Sequence, residues 1–255
     1  MEWQDEGLIL SVRKHGESAA IVSLLTPDRG RHLGLVRGGQ SRRRQSLLQP
    51  GNLVSATWRA RLPEHLGTLS LEPGRDFAAG VLDDSLRLKA LASLTSLLES
   101  SLAEGDPQPA IYAESLEMVA RLAGEVGGMD GGRDDGITAF PAWLAAYVRW
   151  ELALLRGLGF GLDLSSCAAT GSREGLIYVS PRSGRAVSET AGVPWRDRLL
   201  PLPAFLTTDE AIPQGQDEIA AGLRLTGHFL ERHPFAAGNR RPPAARERLL
   251  AAIGN

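Results

Sequence analysis

A chain of 255 residues, 43% of them hydrophobic, can bury one large core or two to three smaller ones without a disulfide or metal to staple it. The single cysteine, Cys167, excludes an internal disulfide and points to a reducing compartment, so a cytosolic protein is expected. The net charge of −2 averages two unlike parts: residues 1–79 hold eleven Lys/Arg against eight Asp/Glu, the remainder seventeen against twenty-two, and between Asp28 and Glu64 eight arginines occur without one acid.

The first residues lack the basic start and apolar run of a signal peptide, and no apolar stretch approaches a membrane span, so neither export nor insertion is expected. Up to Phe77, short apolar runs at 8–12, 20–25, 32–36, 53–59 and 66–71 are split by turn residues such as Thr26-Pro27-Asp28-Arg29-Gly30. Five short strands in about 75 residues suit a compact OB-fold barrel. The stretch 36–51, VRGGQSRRRQSLLQPG, carries four arginines, three glycines and no acid. On a hairpin tip such a loop would be solvated charge. The run continues, however, through Arg29 and Arg31 on one side and Arg59 and Arg61 on the other, which favours a fixed basic face with Arg37, Arg42, Arg43 and Arg44 at its centre. Arginine's planar fork suits phosphate oxygens, and Gly38-Gly39 lets backbone approach a nucleic-acid strand. Aromatic residues are few here (Trp3, Trp58, Phe77), and some must fill the core, so phosphate contacts rather than base stacking are expected to dominate.

From Asp83 the apolar period becomes helical, with Asp83 or Asp84 available as cap. Pro109 opens a second helix to about 126, and the glycine-rich stretch 124–136 reads as a loop. A third helix over 140–158 presents Phe140, Trp143, Leu144, Tyr147, Val148 and Leu155 and ends at Gly157-Leu158-Gly159-Phe160-Gly161. Residues 175–188 read as a hairpin, and helices over 216–233 and 243–253 close the chain. The division expected is therefore a barrel domain, 1–79, and a helical domain, 80–255, the latter interrupted by the hairpin at 165–192.

The chain has no GxxxxGK[ST], HExxH or GxSxG motif. The histidines at 15, 32, 65, 228 and 233 have no metal-ligand spacing, and the acid pairs Asp83-Asp84 and Asp134-Asp135 suit capping and solubility. No catalytic constellation is found, and no cofactor is expected.

Glu6-Gly7-Leu8-Ile9-Leu10, His15-Gly16-Glu17, Gly30-Arg31, Val36-Arg37-Gly38-Gly39 and Leu48-Gln49-Pro50-Gly51-Asn52 together resemble the N-terminal domain of the bacterial RecO family. Tyr147-Val148-Arg149-Trp150-Glu151-Leu152, the stretch 158–164 with Cys167, and 224–230 resemble its helical domain. The resemblance implies an α+β multidomain fold, an OB-fold followed by a helical domain with an inserted zinc ribbon. It also implies a non-enzymatic recombination mediator that binds single- and double-stranded DNA and anneals complementary strands. The partners implied are RecR, RecA and the acidic tail of single-stranded DNA-binding protein (SSB), in the cytoplasm at the nucleoid. For that tail, Arg121, Arg149 and Arg156 are the candidate contacts. This sequence departs from the family at the zinc positions, which read Cys167, Thr170, Ser188 and Ala191, with seventeen residues between Thr170 and Ser188. One thiolate cannot hold a structural zinc, so a metal-free hairpin packed through Leu176, Ile177, Tyr178 and Val187 is expected. Two other readings of the same residues are an RNA-binding OB module and a protein adaptor working through the helical domain.

Overall fold

The apolar runs before Phe77 become five strands, β1 (Glu2–His15), β2 (Ala19–Thr26), β3 (Gly30–Val36), β4 (Leu53–Arg59) and β5 (Thr68–Pro73), closed into a barrel of order β1-β2-β3-β5-β4. The computed structural model describes residues 1–62, 65–126, 141–208, 211–236 and 240–254, without the side chains of Arg42 and Arg43. Ile9, Val22, Leu24, Val54, Trp58 and Leu69 are among the buried residues of the barrel core. β1 is far longer than its apolar run, because its polar first half pairs with all of β4, from Glu2↔Arg59 to Leu8↔Leu53. A register shift between Ile9 and Ser11 passes the strand from β4 to β2 and leaves Leu8, Ile9 and Leu10 all buried.

The barrel closes where β3 meets β5 in parallel at Leu35↔Thr68, with the Leu35 amide donating to Gly67 O at 3.1 Å. β3 and β4 are therefore not neighbours, and the arginine-rich stretch is not a hairpin tip. It is a crossing connection that includes a one-turn helix, α1 (Arg42–Gln45).

Two helices follow. α2 (Ser85–Ser101) is capped by Asp84, whose Oδ1 accepts the amides of Leu86 and Arg87 at 2.9 and 3.0 Å. α3 (Pro109–Leu122) begins on its proline. Both belong to one compact unit with the barrel, Met1–Gly128 with Pro243–Arg246. The barrel strands end at Pro73, before residue 79, and the compact unit that holds the barrel runs on to Gly128.

The second unit comprises Met129–Pro242 and Glu247–Asn255. α4 (Ala142–Gly157) buries Trp143, Leu144, Tyr147, Val148 and Leu155; the expected start of this helix at Phe140 lies outside the described residues. It ends as its glycines suggest: Gly159 takes φ +86° and the Phe160 amide returns to Leu155 O at 2.8 Å. α6 (Gln216–Leu230) packs on α4. Their approach is close at Gly222, where a Cβ would lie 2.9 Å from Val148 Cγ1, and buried Glu151 accepts the Thr226 hydroxyl at 2.5 Å. The hairpin of β6 (Leu176–Val179) and β7 (Ala186–Ser188) leads into α5 (Glu189–Gly192) and gains a third strand, β8 (Leu200–Pro201), in the order β7-β6-β8. Its packing differs from expectation: Val179 and Ala186 are fully buried and Val187 nearly so, whereas Ile177 is exposed and Leu176 and Tyr178 are half-buried. The chain ends in α7 (Ala244–Ile253).

Gly30 opens β3 directly after the β2–β3 turn at φ +64°, and a Cβ there would lie 2.1 Å from Asp106 O. Gly30→Ala combines a left-handed alanine, about 1–2 kcal/mol, with a backbone clash. It should lower the denaturant midpoint by more than the dihedral cost alone, with the m-value unchanged. A wild-type midpoint would show that the 104–106 segment does not rest on this turn.

Candidate nucleic-acid interface

The crossing connection is fixed at both ends and in its middle. Gln40 Nε2 donates to Gly16 O at 3.0 Å and Ala19 O at 2.9 Å, which ties the start of the connection to the β1–β2 turn. Leu48 enters the barrel core. Asn52, 2% exposed, donates to Ser46 O at 3.0 Å and Leu47 O at 3.3 Å and accepts the Ala78 amide at 2.9 Å. A buried amide satisfied on both its nitrogen and its oxygen holds the chain in one conformation.

On this frame the eight arginines divide. Arg29, Arg37 and Arg61 are exposed and Arg44 is half-buried; among the described residues none of the four has an ion-pair partner. Arg31 is committed to the fold, its side chain 15% exposed, Nε donating to Leu102 O at 3.0 Å and the guanidinium 3.9 Å from Glu104. Arg59 bonds Glu2 at 2.8 Å on the surface, and this bond holds the Glu2 carboxyl below its usual range and raises the guanidinium. Arg42 and Arg43 belong to α1, and their side chains lie outside the described residues. Arg31 lies near the start of β3 and Arg37 directly follows its end, about 20 Å apart along the chain. The eight therefore do not share one small patch. The sequence pattern passes over Arg75, which follows β5 outside the acid-free run and reaches Glu125 at 3.2 Å on the surface.

Trp58 and Phe77 are buried, and half-buried Trp3 stacks on Trp58 with ring centres 5.8 Å apart. His32 meets both indoles edge-on at 5.1 and 4.9 Å. Burial pushes this imidazole below its usual range, and Arg29 and Arg31 push the same way against Glu104. The barrel therefore offers little aromatic surface for stacking bases.

Arg121, in the first unit, pairs with Glu117 one turn back at 3.2 Å. Arg149 and Arg156 belong to the second. Arg149 is turned to structural use: its guanidinium lies 5.7 Å from the Phe205 ring centre and donates to Phe205 O at 2.9 Å and Ala211 O at 3.0 Å. Arg156 lies in the last turn of α4.

Cys167 is buried, and its Sγ accepts the Ser188 amide at 3.2 Å and the Ser188 hydroxyl at 3.4 Å. Burial pushes the thiol up, but hydrogen bonds from Ser188, Thr170 and the Ala169 amide outweigh it and bring the thiol down to about 6. These positions do not fit a structural zinc: one sulfur, two hydroxyls and the methyl of Ala191 are not a four-ligand set, and the hydroxyl of Ser188 is already spent on the sulfur. No group of three metal-ligating side chains occurs among the described residues, and no described helix is long and apolar enough to cross a membrane.

A closed five-stranded barrel with a basic crossing connection, followed by a helical unit, defines a class of OB-fold proteins with an appended helical domain. Residues 1–73 match the family model of the recombination protein O N terminal domain and residues 135–239 that of its C terminal domain. The chain is 50% identical over 252 residues to the DNA repair protein RecO of Rhodospirillum centenum, covering 98% of this chain and 94% of that one. It is 48% identical over 250 residues to that of Rhodospirillum rubrum, covering 98% and 95%. With that of Methylobacterium nodulans it shares 48% over 258 residues, covering 100% and 98%. The chain belongs to the RecO family, whose curated relatives are DNA repair proteins.

Two outcomes follow for the cysteine cluster. Elemental analysis of protein purified without chelator should find far less than one zinc per chain, and stoichiometric zinc would overturn the misfit of the donor set. The folded thiol's pKa lies below its unfolded value, so its stabilising contribution is complete above about 9 and is lost as pH falls towards about 6. The stability difference between wild type and Cys167→Ala should therefore widen from pH 6 to pH 9; a constant difference would mean that the sulfur stays protonated.

Proposed function

We propose that this protein is a non-enzymatic DNA-binding recombination mediator. It binds single- and double-stranded DNA, anneals complementary strands and, with RecR, helps RecA replace single-stranded DNA-binding protein. The observation that carries the DNA-binding part is a set of arginines that have no carboxylate partner among the described residues, Arg37 and Arg44 on the crossing connection and Arg29 and Arg61 elsewhere on the barrel, in a stretch 29–63 that contains no acid. Unpaired guanidiniums on a hydrogen-bonded frame meet phosphates without first breaking an ion pair. Arg42 and Arg43 join them on the same connection, whereas Arg31 and Arg59 support the barrel and contribute field more than contact. For the acidic tail of single-stranded DNA-binding protein, Arg121 and Arg156 remain the candidate contacts, and Arg149 holds the Phe205–Ala211 backbone.

Single-strand affinity measured across a salt series should give a slope of log K against log salt of roughly −3 to −4, the value for about four to six neutralised phosphates. Arg42, Arg43 and Arg44→Ala together should flatten that slope by about 2 and abolish annealing of complementary oligonucleotides in the absence of nucleotide. An unchanged slope in the triple variant would leave the connection as solvated charge.

A further inference from the structure

The crossing connection and the end of β5 line a half-open cavity of about 500 Å³ in the first unit. Leu47, Leu71 and Pro73 give it an apolar side, Arg44 and Arg75 bring two guanidiniums against the one carboxylate of Asp76, whose Oδ1 accepts the Ala79 amide at 3.3 Å, and exposed Ser46 borders it. Arg44 has no ion-pair partner among the described residues, and Arg75 has only its surface pair with Glu125, its side chain 65% exposed. Such a pair is worth little in water and yields readily to a competing anion. The volume lies in the range of sites that enclose a small organic molecule. Inorganic phosphate would satisfy the guanidiniums and leave the leucine wall wet; an apolar ligand would leave two cations unanswered. A nucleotide answers both demands, with an anionic group for the arginines and a flat base for Leu47, Leu71 and Pro73.

We propose that this cavity receives one nucleotide of the bound DNA strand, its base drawn out of the stack against the apolar wall and its phosphate between Arg44 and Arg75. The inference rests on the DNA-binding reading above and deepens it. It gives the barrel a base contact that its buried tryptophans do not supply, and it makes Arg75 part of the interface. The side of the cavity that would meet the base, Leu47, Leu71 and Pro73, is apolar, so the nucleotide is taken with little regard to which base it carries.

The test uses the full chain and a single-stranded oligonucleotide carrying 2-aminopurine at alternate positions between adenines, a base whose fluorescence rises when it leaves the stack. Wild type should raise the fluorescence about twofold or more on binding, as extrusion of a base requires. Ser46→Phe, which fills the cavity and removes no charge, should abolish that rise while the salt slope of binding stays as in wild type. Arg75→Ala should weaken the rise and flatten the slope by about 0.7, the share of one phosphate. Binding with a normal slope but no rise, or with an equal rise in wild type and Ser46→Phe, would overturn the nucleotide site and leave the DNA-binding reading standing. Absence of binding in every protein would overturn both. Free deoxyadenosine monophosphate is the second arm. If it saturates the cavity and raises the thermal midpoint while the oligonucleotide signal is the same in wild type and Ser46→Phe, the site takes loose nucleotides and not the strand.

Discussion

Closure of the barrel at one point governs what the rest of the N-terminal unit can do. The Leu35 amide reaches Gly67 O at 3.1 Å, and the parallel contact Leu35↔Thr68 sets β3 beside β5 instead of β4. A chain leaving β3 must then travel to the start of β4 before it can re-enter the sheet. That journey, residues 37–52, is the only place in the barrel with room for a charged segment of this length between consecutive strands. Closure pairs every strand on both sides, although β3 meets β5 at the one pair Leu35↔Thr68.

A connection that crosses a barrel costs conformational entropy, and this one is held by few groups placed where each does most. Leu48 anchors it through apolar burial, Gln40 through two carbonyls of the β1–β2 turn, and Asn52 through both ends of its amide. None of these is an arginine. The division of labour matters, because a guanidinium used to fix the connection would not be free for phosphate. Arg31 shows the other outcome on the neighbouring strand: its Nε–H closes the C-terminal end of α2 at Leu102 O, and its charge is shared with Glu104. Arginines of one run thus serve two purposes, and the choice is made by what lies within reach of each side chain.

That choice explains which parts of the molecule were legible in the sequence. Short apolar runs between turn residues marked all five strands, and Asp84, Pro109 and the glycines after Arg156 marked helix ends, because each signal is local. The polar half of β1 was illegible, since Trp3, Asp5 and Glu6 gain strand structure only by pairing with β4. β8 is two residues long and ends in proline, so no periodicity could announce it. The neighbours of β3 could not be read either, which is why a crossing connection resembled a hairpin loop. For the candidate site, the acid-free run was visible as composition, but the commitment of Arg31, Arg59 and Arg149 to carbonyls and carboxylates depended on residues 56 to 73 positions away. Arg75 was invisible for the opposite reason: it stands among acids in the sequence and meets Arg44 only through the fold.

The hairpin of the second unit is held by hydrogen bonds to one sulfur and by packing. At the positions where the family resemblance implies metal ligands, the sulfur of Cys167 is surrounded by donors: the amide and hydroxyl of Ser188 and the hydroxyl of Thr170. A metal would join four ligands strongly enough to organise a small hairpin alone; hydrogen bonds to one sulfur are individually worth far less. The difference must come from packing, and the structure shows where. Val179 and Ala186 are fully buried, β8 adds a third strand, and Gly192 lies against the Tyr178 ring so closely that a Cβ would stand 2.5 Å from Cδ2. Asp163 contributes from outside the hairpin: its backbone exchanges bonds with Gly184 and Ala186, and its carboxylate takes the Arg185 guanidinium. Several modest contacts distributed over the sheet therefore stand where one metal would act at a point, and loss of any single one should loosen the hairpin without unfolding the helices that carry it.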